Sequence, residues 1–144
     1  ADTGRYDLIS MIHVLEHLPE PVETLGMIRE KLLTEAGSLL IEVPNFYAHD
    51  SYELAHLACF TPHTLKQVLK KAGFEVKALK RHGEPRSDLL NLYLTVLAVP
   101  TGHPDELIAT TPERFVDLKR WLGMIYRRLV QKFFPHKAWR PLPD

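Results

Sequence analysis

The chain has 144 residues, 45% of them hydrophobic and 25% charged, with 18 Lys and Arg balanced by 18 Asp and Glu. That is enough for one domain with a real core, and the ordinary composition excludes a disordered, collagenous or disulfide-built protein. The single cysteine, Cys59, forbids an internal disulfide and fits a reducing, cytoplasmic setting, while no apolar run reaches the roughly 18 residues of a membrane-spanning helix and no signal peptide is legible.

The zero net charge hides an asymmetry. Residues 1–110 hold 10 Lys and Arg against 15 Asp and Glu, whereas residues 111–144 hold 8 against 3. The tail is therefore a basic segment on a mildly acidic body.

Residues 8–12 read as a buried strand of a parallel sheet, opening at Asp7. Polar chemistry crowds its carboxyl end, where His13, Glu16 and His17 fall within five residues. Open α/β sheets bind their ligands outside the carboxyl ends of their strands. Pro19-Glu20-Pro21 then starts a helix, since proline suits a first helical turn. Val22, Leu25, Ile28 and Leu32 give it an apolar stripe, Gly37 closes the turn, and residues 38–43 read as a second strand. Strand, helix and strand in this order predict a crossover with a parallel pair.

Residues 46–60 form a long polar and aromatic loop, a length that usually marks a functional cover. Thr61-Pro62 predicts a capped helix, with Leu65, Val68, Leu69 and Ala72 on its buried side and Gly73 just past its end. Residues 74–79 and 89–99 read as strands, the second nearly continuous in apolar residues and expected to be buried on both faces. Their link is too short for a crossover helix, so they should pair antiparallel. After a linker, Thr111-Pro112-Glu113 predicts the start of a last helix. Its stripe runs through Phe115, Leu118, Leu122, Ile125, Leu129 and Phe133, widened by Trp121 and Val130, with Arg120, Arg127, Arg128 and Lys132 on other faces. Such a stripe normally packs on its own domain or on a second subunit; a membrane surface is the next choice, and nucleic acid ranks below both.

Three stretches now stand in series: Tyr-Asp-Leu-Ile…His-Val-Leu-Glu-His-Leu-Pro-Glu-Pro, then Ala-Gly-Ser-Leu-Leu-Ile-Glu-Val-Pro-Asn, then His-Leu-Ala-Cys-Phe-Thr-Pro-His…Ala-Gly-Phe-Glu-Val. Together they resemble class I S-adenosylmethionine-dependent methyltransferases over roughly residues 6–99. The resemblance implies an α/β fold, a partial Rossmann-like sheet in which residues 7–13 are the family's fourth strand, 38–43 its fifth, and 75–79 with 89–99 its antiparallel last pair. Residues 1–100 would be the C-terminal half of such a domain, and 101–144 a linker with a basic amphipathic helix. The Gly-rich cofactor loop of the family's first half is not in this sequence, so the chain is expected to be a fragment offering one wall of a cofactor site.

The same resemblance places the methionine end of S-adenosylmethionine against Met11, Ile12 and His13, largely through the main chain, with Ile12 also a core residue. It implies methyl transfer to a small-molecule acceptor. His56, in a His-Leu-x-x-Phe-Thr stretch similar to that of sugar C-methyltransferases, is the expected base, because a neutral imidazole accepts a proton near neutral pH. Glu16 and His17 would orient acceptor or cofactor, and Asn45, Phe46 and Tyr52 would line the acceptor pocket. The set His13, Glu16, His17 and His56 also resembles the divalent-metal set of small-RNA 2′-O-methyltransferases. That pattern has Glu at its first position where this chain has His13, and the site is expected to work without a metal. His49 and His63 read as surface residues, and Cys59 as a small buried hydrophobe. The rival expectation is a non-catalytic module that dimerises through the tail helix.

Overall fold

The computed structural model describes residues 4–50, 54–101 and 109–141. Four strands form one sheet: β1 (Tyr6–Ile12), β2 (Leu33–Pro44), β3 (Phe74–His82) and β4 (Tyr93–Pro100), in the order β1-β2-β4-β3. β1 and β2 are parallel and β3 and β4 antiparallel, as expected, and β4 also runs antiparallel to β2. The helices are α1 (Pro21–Met27), continued by a π turn over Ile28–Leu32, α2 (Pro62–Lys71), α3 (Val116–Phe133) and the short α4 (Pro135–Ala138).

The main core forms where α1 and α2 meet one face of the sheet. Leu25 and Ile28 of the first crossover and Leu65 and Leu69 of α2 pack on Met11, Leu39, Ile41, Val43, Leu94, Val96 and Ala98. Each such aliphatic chain, removed from water, contributes roughly 1.5–3 kcal/mol. α2 is held at its start by a capping box, in which Thr61 and Thr64 each accept the other's backbone N–H. Gly73, at φ +80, ends it in the left-handed conformation that glycine takes without strain.

Several expectations need correction. β2 begins at Leu33, ahead of Gly37, and its pairing with β1 jumps from Tyr6↔Leu33 to Leu8↔Ser38. Gly37 sits inside that irregular stretch, where a Cβ would lie 2.8 Å from the Leu33 side chain, so it permits a close approach instead of closing a turn. β4 starts at Tyr93 and is buried on one face only, with Leu94, Val96 and Ala98 inward and Leu97 exposed on the other side. Ile12 is likewise exposed and Met11 takes the core position, because side chains alternate along a strand. Leu8 shares the exposed face of β1 with Ile12. Cys59 is exposed.

The last helix starts later than its capping signal suggests. Thr111 and Glu113 serve α2 instead: His63 Nε2 and Gln67 Nε2 donate to the Thr111 carbonyl at 2.8 and 2.7 Å, and Thr61 Oγ1 donates to Glu113 at 2.5 Å. His63 is thus engaged with the strap leading to α3. α3 follows from Phe115, at φ +59, and packs by its Val130 on Leu90, Leu92 and Ala138. Gly123 lets it approach the Tyr47 carbonyl so closely that a Cβ would lie 2.1 Å from that oxygen.

Two consequences can be measured. Gly123→Ala must push α3 off the Tyr47 carbonyl and should lower stability by about 1–3 kcal/mol in urea unfolding; an unchanged midpoint would mean that this contact is not made. Burial alone would raise the Glu113 carboxyl, but the hydrogen bonds from Lys119 and Thr61 hold it below its usual 4.5. A lowered carboxyl stabilises fully above its unfolded value and loses that contribution as pH falls through its folded one. The urea midpoint should therefore decline as pH drops from 4.5. Glu113→Gln should be less stable at neutral pH and should flatten that acid decline.

Candidate active site

β1 and β2 finish side by side, with Ile12 paired to Glu42, and the His13 N–H donates to the Glu42 carbonyl at 2.9 Å. His13 then takes φ +54, a left-handed conformation uncommon for a side chain of its size, and turns the chain out of the sheet. A single 3₁₀ turn, Leu15–His17, follows. It buries Leu15 completely and Glu16 to 1% exposure, leaving His17 outside.

The loop before α2 is fastened onto this turn twice. Ala58 N–H donates to the Glu16 carbonyl at 3.1 Å, and His17 Nδ1 donates to the Ala55 carbonyl at 2.8 Å. The second bond fixes the His17 tautomer and leaves its Nε2 as the basic nitrogen. His56 is thereby carried to His17, with ring centroids 4.8 Å apart, edge to face. Glu16, His17 and His56 each offer a ligand atom within 4.8 Å of the others. Glu16 Oε1 lies 3.2 Å from His13 Nδ1, while Oε2 is buried and has no hydrogen-bond partner among the described residues. A buried carboxylate oxygen left without a donor is costly, of the order of 1–3 kcal/mol or more.

The cleft beyond these groups holds about 460 Å³. Tyr93 lines it as well, and Glu42 and His82, in contact with His13 and Tyr93, are further residues that sequence reasoning missed. His13 Nε2 lies 3.5 Å from Glu42, whose other oxygen receives Thr95 Oγ1 at 2.8 Å and faces His82 Nε2 at 3.3 Å. Tyr93 stands among three histidines, with ring centroids 5.2, 6.2 and 5.8 Å from His13, His49 and His82. Burial raises the Tyr93 hydroxyl, Arg86 opposes this and Glu42 adds to it. His49, expected at the surface, is half-buried and donates through Nε2 to the Leu92 carbonyl at 3.0 Å. The signal for Glu42 was present: the alternation Ile41-Glu42-Val43 puts it on the face opposite the aliphatic core, two residues from the end of β2. The others come from distant segments, and only pairing of β3 and β4 brings them here.

The expected acceptor residues are placed differently. Asn45 is buried, with its amide donating to Asn91 O at 2.8 Å and its Oδ1 accepting from Tyr47 N at 3.3 Å, so it shapes the loop from within. The Phe46 ring lies under the Arg120 guanidinium of α3, 4.4 Å from its centroid, and does not line the cleft. Tyr52 lies outside the described residues. A larger cavity, about 700 Å³, opens between Tyr47, α2 and α3. Its carboxylate, Glu113, is already bonded to Thr61 and Lys119, and the Tyr47 hydroxyl beside it is pushed well up, first by burial and then by that carboxylate. The Glu16 carboxylate, with one oxygen unbonded among the described residues, and two imidazoles meet in the smaller cleft, and that is where proton chemistry is available.

Comparison with known proteins gives the family and the fold. Residues 1–79 match the family model described as a methyltransferase domain. A 1,6-didemethyltoxoflavin-N1-methyltransferase from Burkholderia thailandensis, solved with 1,6-didemethyltoxoflavin and S-adenosylhomocysteine, is 25% identical at a TM-score of 0.54, over 67% of this chain and 44% of that one. The trans-methyltransferase CalH, in complex with SAH, is 24% identical at a TM-score of 0.52, over 69% and 31%. A SAM-dependent methyltransferase from Aquifex aeolicus is 17% identical at a TM-score of 0.50, over 64% and 44%. The chain thus spans less than half the length of each of these three structures. No curated protein matches it.

Proposed function

The chain belongs to the methyltransferase-domain family, within the class I S-adenosylmethionine-dependent enzymes, and from that premise we propose that its protein transfers a methyl group from S-adenosylmethionine to a small-molecule acceptor. In this reading residues 1–100 are the second half of the catalytic domain and 101–144 an appended linker and helix. The observation that carries it is the convergence of Glu16, His17 and His56 within 4.8 Å at the carboxyl ends of β1 and β2.

The residues present fit one wall of a site for this cofactor. Met11, Ile12 and His13 lead out of β1 through the left-handed turn, and Ile12 exposes an apolar side chain at the strand end. S-adenosylmethionine supplies an electrophilic methyl on a sulfonium, so displacement needs positioning above all. His56 takes the proton that the acceptor hydroxyl, amine or acidic C–H gives up. The Glu16 carboxylate, lacking a partner on Oε2, stabilises the imidazolium that results. His17, anchored through Nδ1, orients the acceptor with its other nitrogen. The loop after β2, set from within by Asn45, borders the acceptor through His49 and Asp50.

A second reading rests on the same orphaned oxygen. Glu16, His17 and His56 would hold a divalent ion, for which two imidazoles and a carboxylate suit zinc better than magnesium. Bound there, the ion would polarise the acceptor and lower its pKa.

His56→Ala should leave S-adenosylhomocysteine binding intact in calorimetric titration and cut methyl transfer by about 10²–10⁴-fold. Loss of cofactor binding would make His56 a structural residue, and unchanged turnover would remove it from the chemistry. A chelator should have no effect on the wild type in the base reading; a loss that zinc restores selects the metal reading. Failure of the wild-type chain to bind S-adenosylhomocysteine would leave either one wall of a site that needs the rest of the domain or a non-catalytic module.

A further inference from the structure

α3 is turned the wrong way round for a helix that packs by its apolar stripe. The side facing the body carries Arg120, Gly123, Arg127 and Val130. Arg120 donates to the Phe46 carbonyl, and Arg127 donates to the Ala48 carbonyl at 2.6 Å and pairs with Asp50 at 2.9 Å. The opposite side carries Leu118, Trp121, Leu122, Leu129 and Phe133, which are 52, 60, 52, 49 and 63% exposed. They fall on one side of the helix between Leu118 and Phe133, so the stripe extends about 24 Å. A contiguous apolar face of this kind marks an interaction surface.

Charge selects the occupant. Residues 118–140 contain seven Lys and Arg and no Asp or Glu. Arg128 and Lys132, both exposed, flank the outward stripe, and exposed Lys137 follows in α4. A second copy of this helix would lay these cations against their own counterparts, with no acid between Asp117 and the terminal Asp144 to answer them. An anionic bilayer answers both features: acyl chains receive Leu and Phe, headgroups receive Lys and Arg, and tryptophan favours the boundary between them. No described helix is long and apolar enough to cross a membrane, so α3 would lie along its surface.

The geometry points to α3 as a membrane-surface helix that docks its Trp121–Leu122–Leu129–Phe133 face on anionic lipid, with Arg128 and Lys132 at the headgroups. The docking face is the side of α3 turned away from the cleft, which the helix reaches only through its inward Arg127, paired with Asp50.

Co-sedimentation of the 144-residue chain with vesicles tests this. Vesicles of equal parts phosphatidylcholine and phosphatidylglycerol should bind it about tenfold or more tightly than phosphatidylcholine alone, and added salt should weaken the binding. Leu129→Glu and the pair Arg128→Glu, Lys132→Glu should each reduce binding about tenfold, with circular dichroism unchanged because these positions face solvent. Trp121→Phe should remove most of the lipid-induced blue shift in tryptophan emission. Equal binding to neutral vesicles, no binding to anionic ones, or indifference to Leu129→Glu would overturn the inference. So would a stable dimer in solution that Leu129→Glu dissociates, since a second copy would then cover the face.

Discussion

The backbone bond from His13 N–H to the Glu42 carbonyl is the constraint on which the rest of this structure depends. It is the last rung of the parallel ladder between β1 and β2, and it makes the two strands end in step. With that rung in place, the chain can leave β1 only through the left-handed turn at His13. The turn drops Leu15 and Glu16 inward and leaves His17 outside, where the loop before α2 can be tied to it. The histidines and carboxylates of the cleft thus gather through main-chain geometry first and side-chain attraction second.

Charge is used against habit in two places. Glu16 is buried with only half its carboxylate bonded, a state that a purely structural residue would avoid because a neutral side chain would pack there at less cost. Retaining it makes sense if a cation, whether an imidazolium or a metal ion, completes its shell during function. α3 shows the converse. Arg120 and Arg127 point inward to carbonyls, an aromatic ring and Asp50, while its leucines and Trp121 face water. The acidic body and the basic helix hold together through these inward arginines, and the apolar stripe remains available to something else.

Much of this was legible in the sequence because local rules and tertiary packing agree there. Thr61-Pro62 and Gly73 bracket α2 as capping chemistry requires, and the short link between β3 and β4 dictated their antiparallel pairing. The approach of His56 to His17 was foreseeable from two adjacent parallel strands and the loop that follows. Where rules conflict, tertiary structure wins. Thr111-Pro112-Glu113 has the form of a helix start, yet its groups are recruited by Thr61, His63 and Gln67, which displaces α3 to Val116. The periodicity of α3 announced an amphipathic helix but could not tell which face meets the body, since Gly123 and two arginines decide that through contacts with residues 46–50. Glu42, Tyr93 and His82 escaped notice because they meet His13 and one another only after the sheet pairs distant segments of the chain.

The central claim is that Glu16, His17 and His56 share one cleft, and the distance between the two imidazoles tests it most directly. Their ring centroids are 4.8 Å apart. Nuclear Overhauser contacts between the carbon-bound ring protons of His17 and His56 should therefore be seen in the folded chain, and His17→Asn should shift the His56 ring resonances. Absence of those contacts, with His56 resonances indifferent to His17→Asn, would contradict the account.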